Sequence, residues 1–120
     1  VNLTQITLVN AVEYGVPSGN YDGSSADFFS DAAQAVGFYQ GQGSVQTVLI
    51  NVANFTGSVI TQATLGNNPE SAAWFDVDVY EPVTNTTQIH SVSAVGNFVW
   101  IRVAVQGFES GIINSVTLSY

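Results

Sequence analysis

Cysteine and lysine are absent from this chain of 120 residues, and arginine and histidine occur once each, as Arg102 and His90. Without cysteine there is neither a disulfide framework nor a thiolate metal site. With one basic side chain and a formal net charge of −8, the chain has no cationic footprint with which to displace counterions from phosphates, so nucleic acid is excluded as a partner. Anionic membrane surfaces are disfavoured for the same reason. No apolar run approaches the roughly 18 residues that span a bilayer. The segment "VNLTQITLVN" has no basic region and no long apolar centre, so it does not read as a signal peptide. The missing initiator Met leaves two readings, a removed Met or a start inside a longer precursor.

What is present is apolar and neutral. Hydrophobic residues make up 46% of the chain and charged residues only 8%, which is ample for one core in a domain of this length. Thr, Ser, Asn, Gln and Gly fill the remainder, a composition of β-rich, turn-rich proteins. The acidity favours solubility and repels like copies. Tight self-association must therefore rest on apolar or neutral polar contacts. Three glycosylation sequons, at Asn2, Asn54 and Asn85, read as chance matches in a chain so rich in Asn and Thr.

Period-two alternation dominates. Leu3 to Val9 reads as a strand with Ile6 and Leu8 facing in. A loop rich in Gly, Ser, Pro and Asn follows from Val16 to Ser25, and "NYDG" within it is a turn signal. "DFFSDAAQAV", Asp27 to Val36, reads as one short helix with Asp27 as N-cap. After the "GQG" break at Gly41 to Gly43, Val45 to Val52 is a strand with Val48 and Ile50 on one face and Leu49 on the other. "NFTG", Asn54 to Gly57, reads as a turn joining it in a hairpin to Val59–Leu65. Strands over Trp74–Tyr80, Thr87–Ser93, Phe98–Val105 and Ile112–Tyr120 follow, the last two joined by "GFESG" as a tight connection. Seven or eight short strands argue for a single all-β domain over residues 1–120. The expected architecture is an antiparallel β-sandwich, jelly-roll-like, with one long N-terminal loop region.

Few residues carry chemistry. His90 stands in "TTQIHSV" with no Cys nucleophile and no GxSxG elbow, and it reads as a histidine of a strand surface. In "WFDVDVYEP", alternation places Trp74, Asp76, Asp78 and Tyr80 on one face and Phe75, Val77 and Val79 on the core side. An acidic pair between two aromatics suits Ca²⁺ or a sugar ring, but no loop signature supplies the further oxygens that calcium requires; a solvated sheet face is the simpler reading. Phe98, Trp100, Arg102 and Ala104 share one face, opposite the aliphatic set Val99, Ile101, Val103 and Val105. Arg102 thus points away from the core, with an ion pair to Asp76 or Asp78 expected if the strands are neighbours, or an aromatic face to lie on. A protein–protein contact through Phe98, Trp100 and Arg102 is the functional alternative. Tyr14 and Tyr21, in or beside the long loop, either dock on a partner or pack back on their own domain.

Three segments, "AVGFYQGQGSVQT", "FTGSVITQATLGNNPESAAWFDV" and "GNFVWIRVAVQGFESGIINSVTLSY", resemble a β-sandwich module of virion structural proteins in tailed bacteriophages, notably the T4-like phages of cyanobacteria. The resemblance covers about the last two thirds of the chain; residues 1–34 match no part of it. It implies a non-enzymatic protein of the virion, a capsid decoration or other surface component such as a tail or fibre part. No cofactor, metal or catalytic residue is implied. The implied partners are other virion proteins and further copies of the chain. A small separate virion protein suits the length. The competing expectation is a carbohydrate-binding module for a host glycan, using Trp74 and Tyr80, and a hydrolase built on Asp76 or Asp78 is the least supported.

Overall fold

A computed structural model describes residues 5–35, 44–66, 68, 70, 73–82, 84–96 and 98–120. Among the described residues there are seven strands: β1 (Gln5–Glu13), β2 (Phe28–Phe29), β3 (Ala33–Gln34), β4 (Ser44–Thr64), β5 (Phe75–Tyr80), β6 (Thr86–Gly96) and β7 (Trp100–Ser119). All pairings are antiparallel and join one hydrogen-bonded sheet. The all-β class is as the alternation predicts. There is no helix among the described residues. Within the segment expected to be helical, Phe28–Phe29 and Ala33–Gln34 instead pair with β7. Its apolar side chains lack a helical stripe, while pairing with β7 satisfies the backbone and covers the apolar edge of that strand. Val36 and the "GQG" break lie outside the described residues.

Two long strands organise the sheet. β4 has 21 residues and β7 has 20, so neither "NFTG" nor "GFESG" is a hairpin turn. The partner expected for Val59–Leu65 is not Val45–Val52, with which it shares one strand. Both strands run on through irregularities that lie side by side, with register shifts between Ala53 and Ser58 against Ile112 and Gln106. Positive φ at Asn54 (51°), Gly57 (148°), Gly107 (63°) and Gly111 (92°) lets the chain bend there without reversing. On one side of the bend, β1, the end of β7, the start of β4 and β6 lie in that order. On the other side, β2 and β3 pair with the start of β7, which pairs with the end of β4 and then β5.

Both halves fill one core. Val48, Ile50, Val52, Val116 and Leu118 come from one half, and Val59, Ala63, Ile101, Val103 and Val105 from the other. The aliphatic set of β7 is therefore core as expected, with Val99 half-buried. The bend itself is filled by Phe108, whose ring meets Tyr14, Tyr21, Phe28 and Phe55 at centroid distances of 5.4, 5.3, 6.3 and 5.6 Å. Cross-links hold the halves together: Tyr120 Oη donates to the Gln34 carbonyl (2.9 Å), and Tyr80 of β5 stacks on His90 of β6 at 4.4 Å.

In β1, an extra residue at Leu8 shifts the register between Thr7 and Val9. Ile6 and Leu8 pack partly against the core, as expected, but the buried residues are Val9 and Val12. The alternation alone places Val9 on the outer face; the bulge reverses it.

Among the described residues, one buried side-chain polar group lacks a partner. Thr61 is 1% exposed, and its hydroxyl has no hydrogen bond among the described residues. An unsatisfied buried hydroxyl is a desolvation cost that an isosteric apolar group avoids. Thr61→Val is therefore expected to leave stability unchanged or raise it by up to about 1 kcal/mol in urea unfolding; a loss larger than that would reveal a partner for the hydroxyl.

Candidate functional site

The only arginine lies in an aromatic cradle. Arg102 on β7 pairs with Gln62 on β4, and Gln62 pairs with Asp76 on β5. Directly opposed residues of antiparallel strands share a face, so the three side chains form a row across the sheet. Arg102 Nε–H donates to Gln62 Oε1 (2.9 Å), and Gln62 Nε2–H donates to Asp76 Oδ1 (3.0 Å). The Arg102–carboxylate pair expected from the sequence is thus relayed through an amide. Among the described residues Arg102 makes no ion pair. Its guanidinium carbon instead lies 4.4 Å from the centre of the Phe29 ring and 4.2 Å from that of Trp74. Two π-faces offer a half-buried guanidinium electrostatic attraction without a carboxylate. Burial pushes its pKa below the ordinary arginine value, yet arginine remains charged at neutral pH.

β2 supplies Phe29 to this cradle because Phe29 pairs with Ala104, two residues along β7 from Arg102 and on the same face. Phe28 of the same strand turns inward and is buried. The short β2 thus splits the "FF" pair between core and site. Alternation on β7 identified Arg102, and Trp74 was among the expected contact residues; Gln62 and Phe29 were missed. Gln62 is separated from Arg102 by 40 residues in sequence, and Phe29 was read as helical.

The other expected site residues disperse. Asp78 lies opposite Thr61 on the inner side, and its Oδ2 is 3.2 Å from His90 Nε2. Tyr80 is buried in the core and donates its hydroxyl to Gln88 Oε1 (2.9 Å); burial raises its pKa. The Trp74/Asp76/Asp78/Tyr80 face therefore does not exist as one surface. A register shift between Thr61 and Gln62 against Asp78 and Asp76 puts the extra residue Val77 into β5 and swaps the faces across it. For the same reason Val79, expected in the core, is exposed, while Val77 packs partly against it; Phe75, opposite the buried Ala63, is exposed as well. Phe98 is half-buried against the core, with its ring 5.8 Å from that of Phe75, and Trp100 is half-buried beside Gln34.

The two loop tyrosines part company. Tyr21 is 1% exposed and anchors the long loop from within. Its hydroxyl accepts from the Gly15 N–H (2.9 Å), and its backbone exchanges hydrogen bonds with Ser18. The next residue, Asp22, accepts from the N–H groups of Ser24 and Ser25 and from the Ser25 hydroxyl, which lowers its pKa to about 2. Tyr14 stays on the surface with its ring edge-on to Phe108.

For catalysis, the described residues supply little. His90 hydrogen-bonds Asp78 and no hydroxyl, and no group of three His, Asp or Glu side chains is placed to hold a metal ion.

A second surface emerges from the register. On the outer side of β1, β7, β4 and β6, Gln5, Ser119, Thr47 and Ser93 form one row. Thr7, Thr117, Leu49 and Ser91 form the next, and Asn10, Ser115, Asn51 and Ile89 the third. Thr47 and Ser93 hydrogen-bond each other across the strands at 3.2 Å. None of these twelve side chains carries a formal charge, and the nearest acid, Glu13, borders them in the next row opposite Ile112 and Ala53. The acids sit in the long loop, around β5, at the bend and at the end of β1. Leu49 and Ile89 are exposed on the face, at 37% and 61%, with hydroxyls and amides around them. Sequence inspection missed this surface because its rows come from four separate segments.

The chain matches no family model, no curated protein and no solved structure.

Proposed function

We propose that this protein is a non-enzymatic structural component of a tailed-phage virion, a capsid decoration or other surface protein that attaches through its uncharged face. The observation that carries this reading is the partition of charge. In a chain of net charge −8, four adjacent strands present twelve outward side chains without a single formal charge. Like-charged copies repel at long range, so a protein that must sit beside many copies of itself needs a face where that repulsion is weakest. Rows of Ser, Thr, Asn and Gln around two aliphatic side chains offer neutral hydrogen bonding and some apolar burial, the mixture found at non-obligate interfaces. The resemblance of the last two thirds of the chain to virion modules points the same way. A sheet folded over one core acts here as a sandwich-like plate, with one outer face for attachment and the acidic remainder toward solvent.

In this role the protein binds assembled shells of the virus that encodes it and raises their resistance to heat. Co-sedimentation of purified protein with shells lacking it is the direct test, and a stoichiometry of hundreds of copies per particle is expected for a decoration protein. A folded protein that stays in the supernatant would remove the proposal.

A further inference from the structure

The cradle around Arg102 has an unused side. The guanidinium carries five N–H donors, and only Nε–H has an acceptor among the described residues, Gln62. Its central carbon lies over two rings, those of Phe29 and Trp74. The Nη edge, a fork suited to two parallel hydrogen bonds to one carboxylate, is left without a protein acceptor among those residues. Arg102 also lines a surface depression of about 620 Å³ together with Trp74, Asp31 and Glu70. Gln62 and the two rings hold the fork in place before any ligand arrives, so little side-chain freedom remains to be lost on binding.

The rim sets the chemistry of the ligand. Asp31 and Glu70 are exposed carboxylates. One Asp31 oxygen already accepts from Asn20 Nδ2 (2.9 Å); Glu70 has no side-chain partner among the described residues. Ionised carboxylates only accept hydrogen bonds, so they select hydroxyl donors and repel a second negative charge. A ligand that suits both parts carries one carboxylate and several neighbouring hydroxyls. Phosphate dianions, with more charge and no neutral donors, do not fit it.

We infer that the Arg102 depression is a binding site for an acidic saccharide, a hexuronate whose carboxylate sits on the Arg102 fork and whose hydroxyls donate to Asp31 and Glu70. This goes beyond attachment to a shell and does not depend on it, since the depression and the uncharged face lie on opposite sides of the bend in β4 and β7.

The test is titration of the intact protein with D-glucuronate and D-galacturonate, followed by the NMR shifts of the Arg102 Nε–H and Trp74 indole N–H groups. Saturable shifts are expected with at least one of the two. Its methyl ester, which keeps the hydroxyls and loses the charge, should bind about tenfold or more weakly. Arg102→Lys, which keeps the charge and loses the fork, should weaken the acid by a similar factor and leave the weak binding of the ester unchanged. If that variant does not fold, the ester comparison on the unaltered protein decides alone. Equal affinity for acid and ester, no saturable shift with either uronate, or inorganic phosphate binding as tightly as the sugars would each overturn the inference.

Discussion

Gly111→Ala is expected to destabilise the domain by about 2–4 kcal/mol, the sum of a left-handed backbone penalty and a steric clash. Gly111 has φ of 92°, where an L side chain is strained. A Cβ there would also run into the Asn54 carbonyl on the neighbouring strand. That neighbour is backbone at the bend of β4 and cannot swing aside as a flexible side chain would. Relief requires the two bends to move apart, and they are the places where β4 and β7 turn together from one half of the sheet to the other. Gly107 is the internal control. Its φ of 63° is also positive, but nothing lies within 4 Å of an added Cβ. Gly107→Ala should therefore cost only about 1 kcal/mol, from backbone strain alone. Urea unfolding of the two variants checks the difference. Equal losses would mean that the close approach at Gly111 is not a constraint.

Phe108→Ala is expected to cost about 3–5 kcal/mol, in the range of a fully buried aromatic truncated to a cavity. Phe108 is 1% exposed and occupies the stretch of β7 that bulges between Gln106 and Ser110. The residues around it are rings from the long loop, from β2 and from β4. Their backbones belong to strands and a hydrogen-bonded turn, so the space collapses poorly and the cavity term is large. Tyr21 loses its contact with the Phe108 ring and keeps that with Phe28, so the loop should loosen along with the bend. Hydrogen exchange at Ser18 and Tyr21 N–H, which pair with each other's carbonyls, should accelerate more than exchange at the centre of the sheet. A loss below about 1 kcal/mol would show that the bend does not need this ring.

These two residues also show where the sequence is readable. Local alternation reads strand faces correctly wherever the strand is regular: Val48 and Ile50 against Leu49, and Ile101, Val103 and Val105 against Arg102. It fails at each inserted residue, because one extra residue exchanges the two faces beyond it. Leu8 does this in β1 and Val77 in β5, which is why Val9 and Tyr80 are buried and Val79 is exposed. Glycine-rich segments fail differently. "NFTG" and "GFESG" carry the residues of a tight turn, and a turn and a sharp bulge use the same positive φ angles. Only the partner strand tells them apart. β4 and β7 bend side by side, so each continues to satisfy the other's backbone.

The candidate sites divide along the same line. Arg102 facing outward from the aliphatic row was legible, and so was an aromatic near it. That Gln62 would stand between it and Asp76 depended on a pairing with Arg102 across 40 residues, and that Phe29 would close the cradle depended on a still longer one. The uncharged face was implied in a weaker form, since a chain of this charge can self-associate only through neutral surfaces. Its location required the register of four strands.

Attachment through that face is the central claim, and charge placed on it is the sharpest probe. Leu49 is exposed at the middle of the face, between Ser91 and Thr117, so Leu49→Glu is compatible with folding and adds one negative charge where none exists. The measurement is co-sedimentation of this variant and of the unaltered protein with shells that lack it, with thermal unfolding to show that both are folded. The unaltered protein should pellet with the shells and the Leu49→Glu variant should lose about tenfold or more in affinity, as a buried, unpaired charge at an interface demands. Shell binding by the folded variant equal to that of the unaltered protein would contradict the claim.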